Sequence, residues 1–297
     1  MKQLFRVLPI VFSVGFFGCS NSNTTETTAE TNSKTETTSN TTTKSQDTFV
    51  SSLPDTAPVY KVATTGVTPP YSFQDDYGNL QGIDIDAIRA IGEEQGFKVE
   101  FYKEPWVQMF SNVENGTRDM AVAGIAYTSE RAQKYGLSDP YFFSPSALMY
   151  KKPELNIEKL EDIKGLRLGG MEGGKSIEQA KAVGGYSELV SQKTPFLLFG
   201  KLMQDEVDVI VNSSVIWRYI AKSYPDSNVT IVPYEDETDA GAHQLVLMRK
   251  GNTELINAVN EGIAKVKQED GFQKIEAKWL GEARPPADTS VITGQAQ

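Results

Sequence analysis

The sequence predicts an α/β chain made of two units, each built from alternating strands and helices. Three observations carry this. From 60 to 126, apolar strand-like runs alternate with segments of helical periodicity. The same order returns from 157 to 211. Two further apolar runs, SALMYK at 146–151 and QLVLMR at 244–249, fall between and after these blocks. Strand, helix and strand in succession imply parallel strands joined by right-handed crossovers.

Taken in order, the chain begins with Lys2 and Arg6 before an apolar run at 7–17, too short for a stable membrane span but suited to a secretory signal. Residues 21–52 collapse to Thr, Ser, Asn, Glu and Lys. Such a stretch buries too little to offset its ordering entropy, so it reads as a disordered tether of roughly 30 residues spanning about 30 Å. The folded part is expected from Pro58, with a strand at 60–64 and turns at 68–71 and 76–79. Asp84 reads as a helix cap, with Ile85, Ile88 and Ile91 on one face and Gly96 as the stop. A strand at 98–102, a helix at 106–113 and a strand at 120–126 complete the first block. The second block reads as a short helix at 157–163, a strand at 166–169 and a helix at 176–183 capped by Ser176. A helix within 194–207 and an apolar strand, VDVIV at 207–211, follow. Helices at 254–268 and 272–279 close the fold, leaving 283–297 as a loose tail.

Composition narrows the function. A net charge of −10 supplies no basic stripe to displace phosphate counterions, so a nucleic-acid partner is not expected. Cys19 is the single cysteine and His243 the single histidine. That removes internal disulfides, cysteine-based zinc and Ser-His triads from the reading, and no cofactor is expected.

The run 121–142, AVAGIAYTSERAQKYGLSDPYF, passes from a buried strand through a loop to a helix start at Thr128 and Glu130. Arg131 lies in the first helical turn, where the helix dipole disfavours a cation, and its planar fork suits a carboxylate. Pairing with a nearby surface acid such as Asp139 is the plain alternative. Gly124, Thr128, Glu130 and Arg131, followed by Ser138, Asp139, Pro140 and Tyr141, resemble the family 3 extracellular solute-binding proteins, receptors of bacterial ABC importers. Pro69-Pro70-Tyr71, GIDIDAI from Gly82, Lys164-Gly165, Glu206-Val207-Asp208 and GFQKIEAKWL extend the resemblance over about 59–281.

That resemblance implies a two-lobed, type II periplasmic-binding-protein-like fold. Lobe 1 would be 58–141 with 245–282, lobe 2 would be 146–240, and 142–145 with 241–244 would form the hinge. Ligand would bind between the lobes, and a permease would read their closure. Arg131 would clamp a carboxylate, helped by the Ala126 amide, Thr128 and the α-helix start at Gly174, Lys175 and Ser176. The Gly124 carbonyl would accept from an amino group. Tyr71 and Trp106 would be apolar walls, with Thr65, Thr68, Met171 and Ser213 completing the ligand-binding set. Gly18-Cys19-Ser20 resembles a lipoprotein signal, implying removal of 1–18, acylation of Cys19 and a tether to 57. A monomer held to the bacterial envelope by its lipid anchor, on the periplasmic or extracellular face, is the expected form.

Three departures from the family pattern stand out. Thr68 occupies the place of an aromatic that covers the ligand, and Ala126 that of a hydroxyl residue. Ser213 stands where many of these receptors carry an aspartate for the ligand ammonium, so a carboxylate with a neutral far end, held by Ser213, Asn212 and Thr68, is the expected ligand. Glu172 could otherwise replace the missing charge. Two competing readings remain. GGMEGGKS at 169–176 satisfies a phosphate-binding loop pattern, and a dehydratase-like enzyme would need Glu172 or Glu104 as an acid in the cleft.

Overall fold

The computed structural model describes residues 49–281. The signal, Cys19, most of the tether and the tail after 281 lie outside the described residues. Within them the chain orders earlier than Pro58. Glu93 accepts the Ser51 hydroxyl, the Ser52 hydroxyl at 2.5 Å and the Ser52 N–H at 3.0 Å, and the Arg89 guanidinium lies 4.7 Å from the Phe49 ring centroid. Residues 49–57 therefore lie along the first lobe, because polar residues with local partners need no apolar burial to dock.

The first lobe opens with β1 (Val59–Thr64), the small strands β2 (Val67–Thr68), β3 (Ser72–Gln74) and β4 (Leu80–Gln81), and α1 (Ile83–Gln95). There follow β5 (Lys98–Lys103), α2 (Trp106–Glu114), β6 (Met120–Ala121), α3 (Ser129–Lys134), β7 (Tyr135–Leu137) and β8 (Phe142–Phe143). The second lobe contains β9 (Ser146–Tyr150), β10 (Arg167–Met171), α4 (Lys175–Val183), β11 (Glu188–Gln192), α5 (Pro195–Met203), β12 (Val209–Ser213), α6 (Ser214–Ser223) and β13 (Thr230–Pro233). The chain returns through β14 (His243–Gln244) and β15 (Leu247–Arg249) to α7 (Thr253–Gln268) and α8 (Gly271–Leu280).

Each lobe is a mixed five-stranded sheet, ordered β5-β1-β6-β15-β7 in the first and β11-β10-β12-β9-β13 in the second. The crossover pairs are parallel, as the strand-helix alternation predicts. The strands that carry the chain into and out of the second lobe run antiparallel to their neighbours, β9 to β12 and β15 to β6. Between the sheets, Phe142–Phe143 pairs antiparallel with His243–Gln244 as a two-stranded ribbon, so both crossings run side by side. Helices α1, α7 and α8 cover one face of the first sheet through Ile88, Ile91, Val259, Ile263 and Phe272. Helix α2 seals the other face with Met109 and Val113. In the second lobe Ile177 and Ala180 of α4 pack on Leu168, Val209 and Leu148. Each such side chain contributes about 1.5–3 kcal/mol when fully buried, so each sheet is a rigid platform for the loops at its end.

Several sequence expectations shift at their edges. Helix α1 is capped by Gly82 at φ 132° with no side-chain bond, and Asp84 points into the core instead. Ser176 does not cap α4, whose N-cap is Gly174, and the Ser176 hydroxyl donates to Ser146 Oγ at 3.0 Å. The run at 120–126 is a ladder strand only over Met120–Ala121, after which the chain bends at Gly124, φ 68°.

Candidate functional site

The loop at 122–128 follows β6 and is shaped from below. The buried Asp84 carboxylate accepts the Gly124 N–H at 2.5 Å and the Tyr141 hydroxyl at 2.7 Å. Burial drives the Asp84 carboxyl up to about 6, although both hydrogen bonds oppose it. A Cβ at Gly124 would lie 2.7 Å from the Tyr71 ring, so only glycine lets this loop pass over Tyr71. Beyond it, Ala126 forms an antiparallel bridge with Gln244 whose hydrogen bonds run from Tyr127 N–H to His243 O and from Leu245 N–H to Ile125 O. Neither bond uses the Ala126 N–H.

Arg131 sits above this loop at 8 % exposure. Its guanidinium donates to Ala126 O at 2.7 Å and, across the lobes, to Gly173 O at 3.4 Å. The rings of Phe110 and Trp106 lie 5.1 and 5.6 Å from its carbon. Among the described residues no carboxylate is within ion-pair distance of it, Asp139 included. Burial pushes its pKa down to about 10, against the pull of Glu130, so it stays charged at neutral pH. Two carbonyls engage two of the five guanidinium N–H donors. A buried cation left this way costs several kcal/mol unless an anion joins it.

The second lobe brings the start of α4 to the same place. Lys175 behaves differently from Arg131. Its ammonium is bound to Glu235 Oε1 and Oε2 at 2.5 and 2.6 Å and to Gly241 O at 2.5 Å. Burial alone would raise the Glu235 carboxyl, but Lys175 holds it below its ordinary range, helped by Ser146 N–H and Gln179. Lys175 thus braces α4 against the returning crossing, and no lysine is left to serve a phosphate-binding loop at 169–176.

Between the lobes lies a cavity of ≈ 40 Å³. Of the sequence-predicted set, Thr68, Trp106, Gly124, Ala126, Arg131, Met171, Gly174, Lys175, Ser176 and Ser213 line it. Three do not. Thr65 bonds Thr68 Oγ1 at 2.8 Å and faces an outer groove. Thr128 is the N-cap of α3, accepting the Arg131 N–H at 3.1 Å, because a hydroxyl at that position satisfies an otherwise orphan amide. Tyr71 is fully buried beneath Gly124, with its hydroxyl on Ser144 and, at 3.0 Å, on Ser213 Oγ.

Ser213 reaches the cavity wall with its hydrogen-bonding capacity spent. Its oxygen meets Ser144 Oγ at 2.6 Å and the Tyr71 hydroxyl, and caps α6 by accepting Val215 N–H at 3.1 Å and Ile216 N–H at 3.4 Å. A hydroxyl has one donor and two lone pairs, so Ser213 cannot also hold ligand. Glu172 and Glu104 both line an outer groove rather than the cavity, and Glu104 accepts from Asn112 and pairs with Arg118 at 2.7 Å. Among the described residues no carboxylate lines the cavity. Glu172 therefore does not replace the missing charge, and neither acid stands where a dehydratase would need it. Gln244 and Asn212, by contrast, do line it. Asn212 carried a sequence expectation and Gln244 did not, although a polar residue at the head of the apolar run QLVLMR was the available signal.

Two α/β lobes joined by paired crossings, with a buried cation between them that has no carboxylate partner among the described residues, have the form of a type II binding protein. The chain belongs to the bacterial extracellular solute-binding proteins, family 3, whose model matches residues 60–282. It is 26 % identical over 228 residues to a probable histidine-binding protein of Neisseria gonorrhoeae, covering 75 % of this chain and 84 % of the relative. It is 28 % identical over 225 residues to an L-cystine-binding protein of Bacillus subtilis, covering 75 % and 82 %. Among solved structures, an ancestral arginine-binding protein bound to arginine superimposes with a TM-score of 0.70 at 31 % identity, covering 75 % of this chain and 98 % of that one.

Proposed function

We propose that this chain is the receptor of an ABC importer that captures an amino acid or related small carboxylate between its lobes and presents the closed form to a permease. Arg131 carries the reading, as a buried guanidinium with spare donors and no carboxylate partner among the described residues. A ligand carboxylate would take the fork, with the Ala126 amide and the first amides of α4 as further donors, so both lobes would share one anion. Contact with both lobes gives the ligand a differential affinity for the closed state, which is what closure requires. The names of relatives that bind histidine, cystine or arginine support the amino-acid class. Acylation at Cys19, which follows a charged start and an apolar run, would hold the receptor at the envelope as a monomer.

Thermal melting of the full chain against a panel of amino and hydroxy acids tests this. A ligand at a thousand times its Kd raises stability by about 4 kcal/mol. In Arg131→Met the shift should vanish for every carboxylate. A ligand that shifts both proteins equally would contradict the reading.

A further inference from the structure

Two buried polar atoms on the cavity wall lack partners. They are Asn212 Nδ2, a donor, and Gln244 Oε1, an acceptor. They come from different parts of the fold: Asn212 is the penultimate residue of β12 in the second lobe, and Gln244 lies in the ribbon where the chain returns to the first. Gln244 is 2 % exposed. The Asn212 amide is oriented by its own Oδ1, which accepts the Ser213 N–H at 2.8 Å, so Nδ2 is the end left over. An unmet buried polar atom costs about 1–3 kcal/mol, and two on one small cavity are a demand for a ligand group that satisfies both.

We infer that Asn212 and Gln244 form the second polar subsite of the cavity and read an uncharged group that both donates and accepts. The ligand is then a small acid bearing a hydroxyl or a primary carboxamide, not an α-amino acid. This rests on the carboxylate reading of Arg131. An ammonium fits badly for two reasons. It has donors only, so Asn212 Nδ2 would meet another donor and stay unpaired. The ligand carboxylate would neutralise Arg131, but among the described residues the cavity of ≈ 40 Å³ has no lining carboxylate left to neutralise the ammonium. A hydroxyl carries both functions these atoms call for, a lone pair for Asn212 Nδ2 and a proton for Gln244 Oε1. The hydroxyl of Ser213, engaged with Tyr71, Ser144 and α6, offers the ligand nothing further.

Isothermal titration of the full chain with matched pairs, glycolate against glycine and L-lactate against L-alanine, tests this. The hydroxy acid should bind at least tenfold more tightly in each pair. Gln244→Glu and, separately, Asn212→Asp place a carboxylate on the wall, and Asp keeps the acceptor for Ser213 N–H. Either should reverse the preference toward the amino acid by tenfold or more. Melting curves identify a variant that does not fold, in which case the other decides. Amino acids binding the unaltered chain as tightly as hydroxy acids, with binding lost in Arg131→Met, would overturn this inference and leave the proposed function standing. If all four probes fail while another amino acid binds and that binding is lost in Arg131→Met, the inference alone is overturned; failure of the whole amino- and hydroxy-acid panel would overturn both.

Discussion

Tyr71→Phe removes one oxygen, and its effect isolates the share of one hydroxyl in holding the lobes together without ligand. The Tyr71 hydroxyl belongs to the first lobe, Ser144 to the crossing and Ser213 to the second lobe, so within this hydroxyl group the 3.0 Å Tyr71–Ser213 bond spans the lobes directly, beside the bonds of Trp106 and Arg131 to Gly173 O. Phe keeps the ring that supports Gly124, and the Ser144–Ser213 bond at 2.6 Å survives. One neutral hydrogen bond is worth about 0.5–1.5 kcal/mol net, which lowers the closed-to-open ratio roughly 2- to 13-fold. Where the unliganded receptor is mostly open, apparent Kd rises by the same factor, because only the closing fraction captures ligand. Spin labels at the exposed positions 77 and 197, in a Cys19→Ser background, report the closed fraction as an interlobe distance distribution. Unchanged distances and unchanged Kd in Tyr71→Phe would refute the idea that this hydroxyl group links the lobes.

Other perturbations have definite signs. Gly124→Ala places a methyl against the Tyr71 ring at φ 68°, and should cost about 2–4 kcal/mol by denaturant unfolding while weakening ligand binding. Glu235→Ala strands the Lys175 ammonium and removes an acceptor for Ser146 N–H, so unfolding should become easier by about 3–5 kcal/mol, with much of the loss recovered when Lys175→Met is added. Asp84 titrates from an ordinary 3.8 to about 6 in the fold, so the folded chain holds its proton longer than the unfolded one. Its contribution therefore makes stability fall between pH 4 and pH 6 and level off above, by about 3 kcal/mol in total. In Asp84→Asn that slope should disappear from urea midpoints measured across pH 4–7.

Much of the fold was legible because its helices carry apolar faces and its strands are short apolar runs. Helices α1, α2 and α7 fall within a residue or two of the segments their periodicity marks. Strand β11 went unread because it is a half-exposed edge with polar ends, ELVSQ. Helix α6 is not marked in the sequence, because a serine just after an apolar strand reads as a ligand contact, whereas its oxygen caps that helix. Asp84 shows the same ambiguity. An acid at a helix start reads as a cap, and only the packed structure reveals that its carboxylate holds the loop at Gly124. Nothing in the spacing tells that Lys175 and Glu235 pair across 60 residues, nor that β9 and β15 run antiparallel to their neighbours β12 and β6. Arg131 was legible for the opposite reason, since a cation set against a helix dipole is a local feature.

The central claim is that ligand enters as an anion on Arg131. A crystal structure of the full receptor with the tightest-binding of the titrated acids measures it directly. The account predicts a carboxylate within about 3 Å of both terminal guanidinium nitrogens, bidentate and shared with the α4 amides. A ligand in the cleft that leaves Arg131 on the Ala126 and Gly173 carbonyls, with its carboxylate elsewhere, would contradict it.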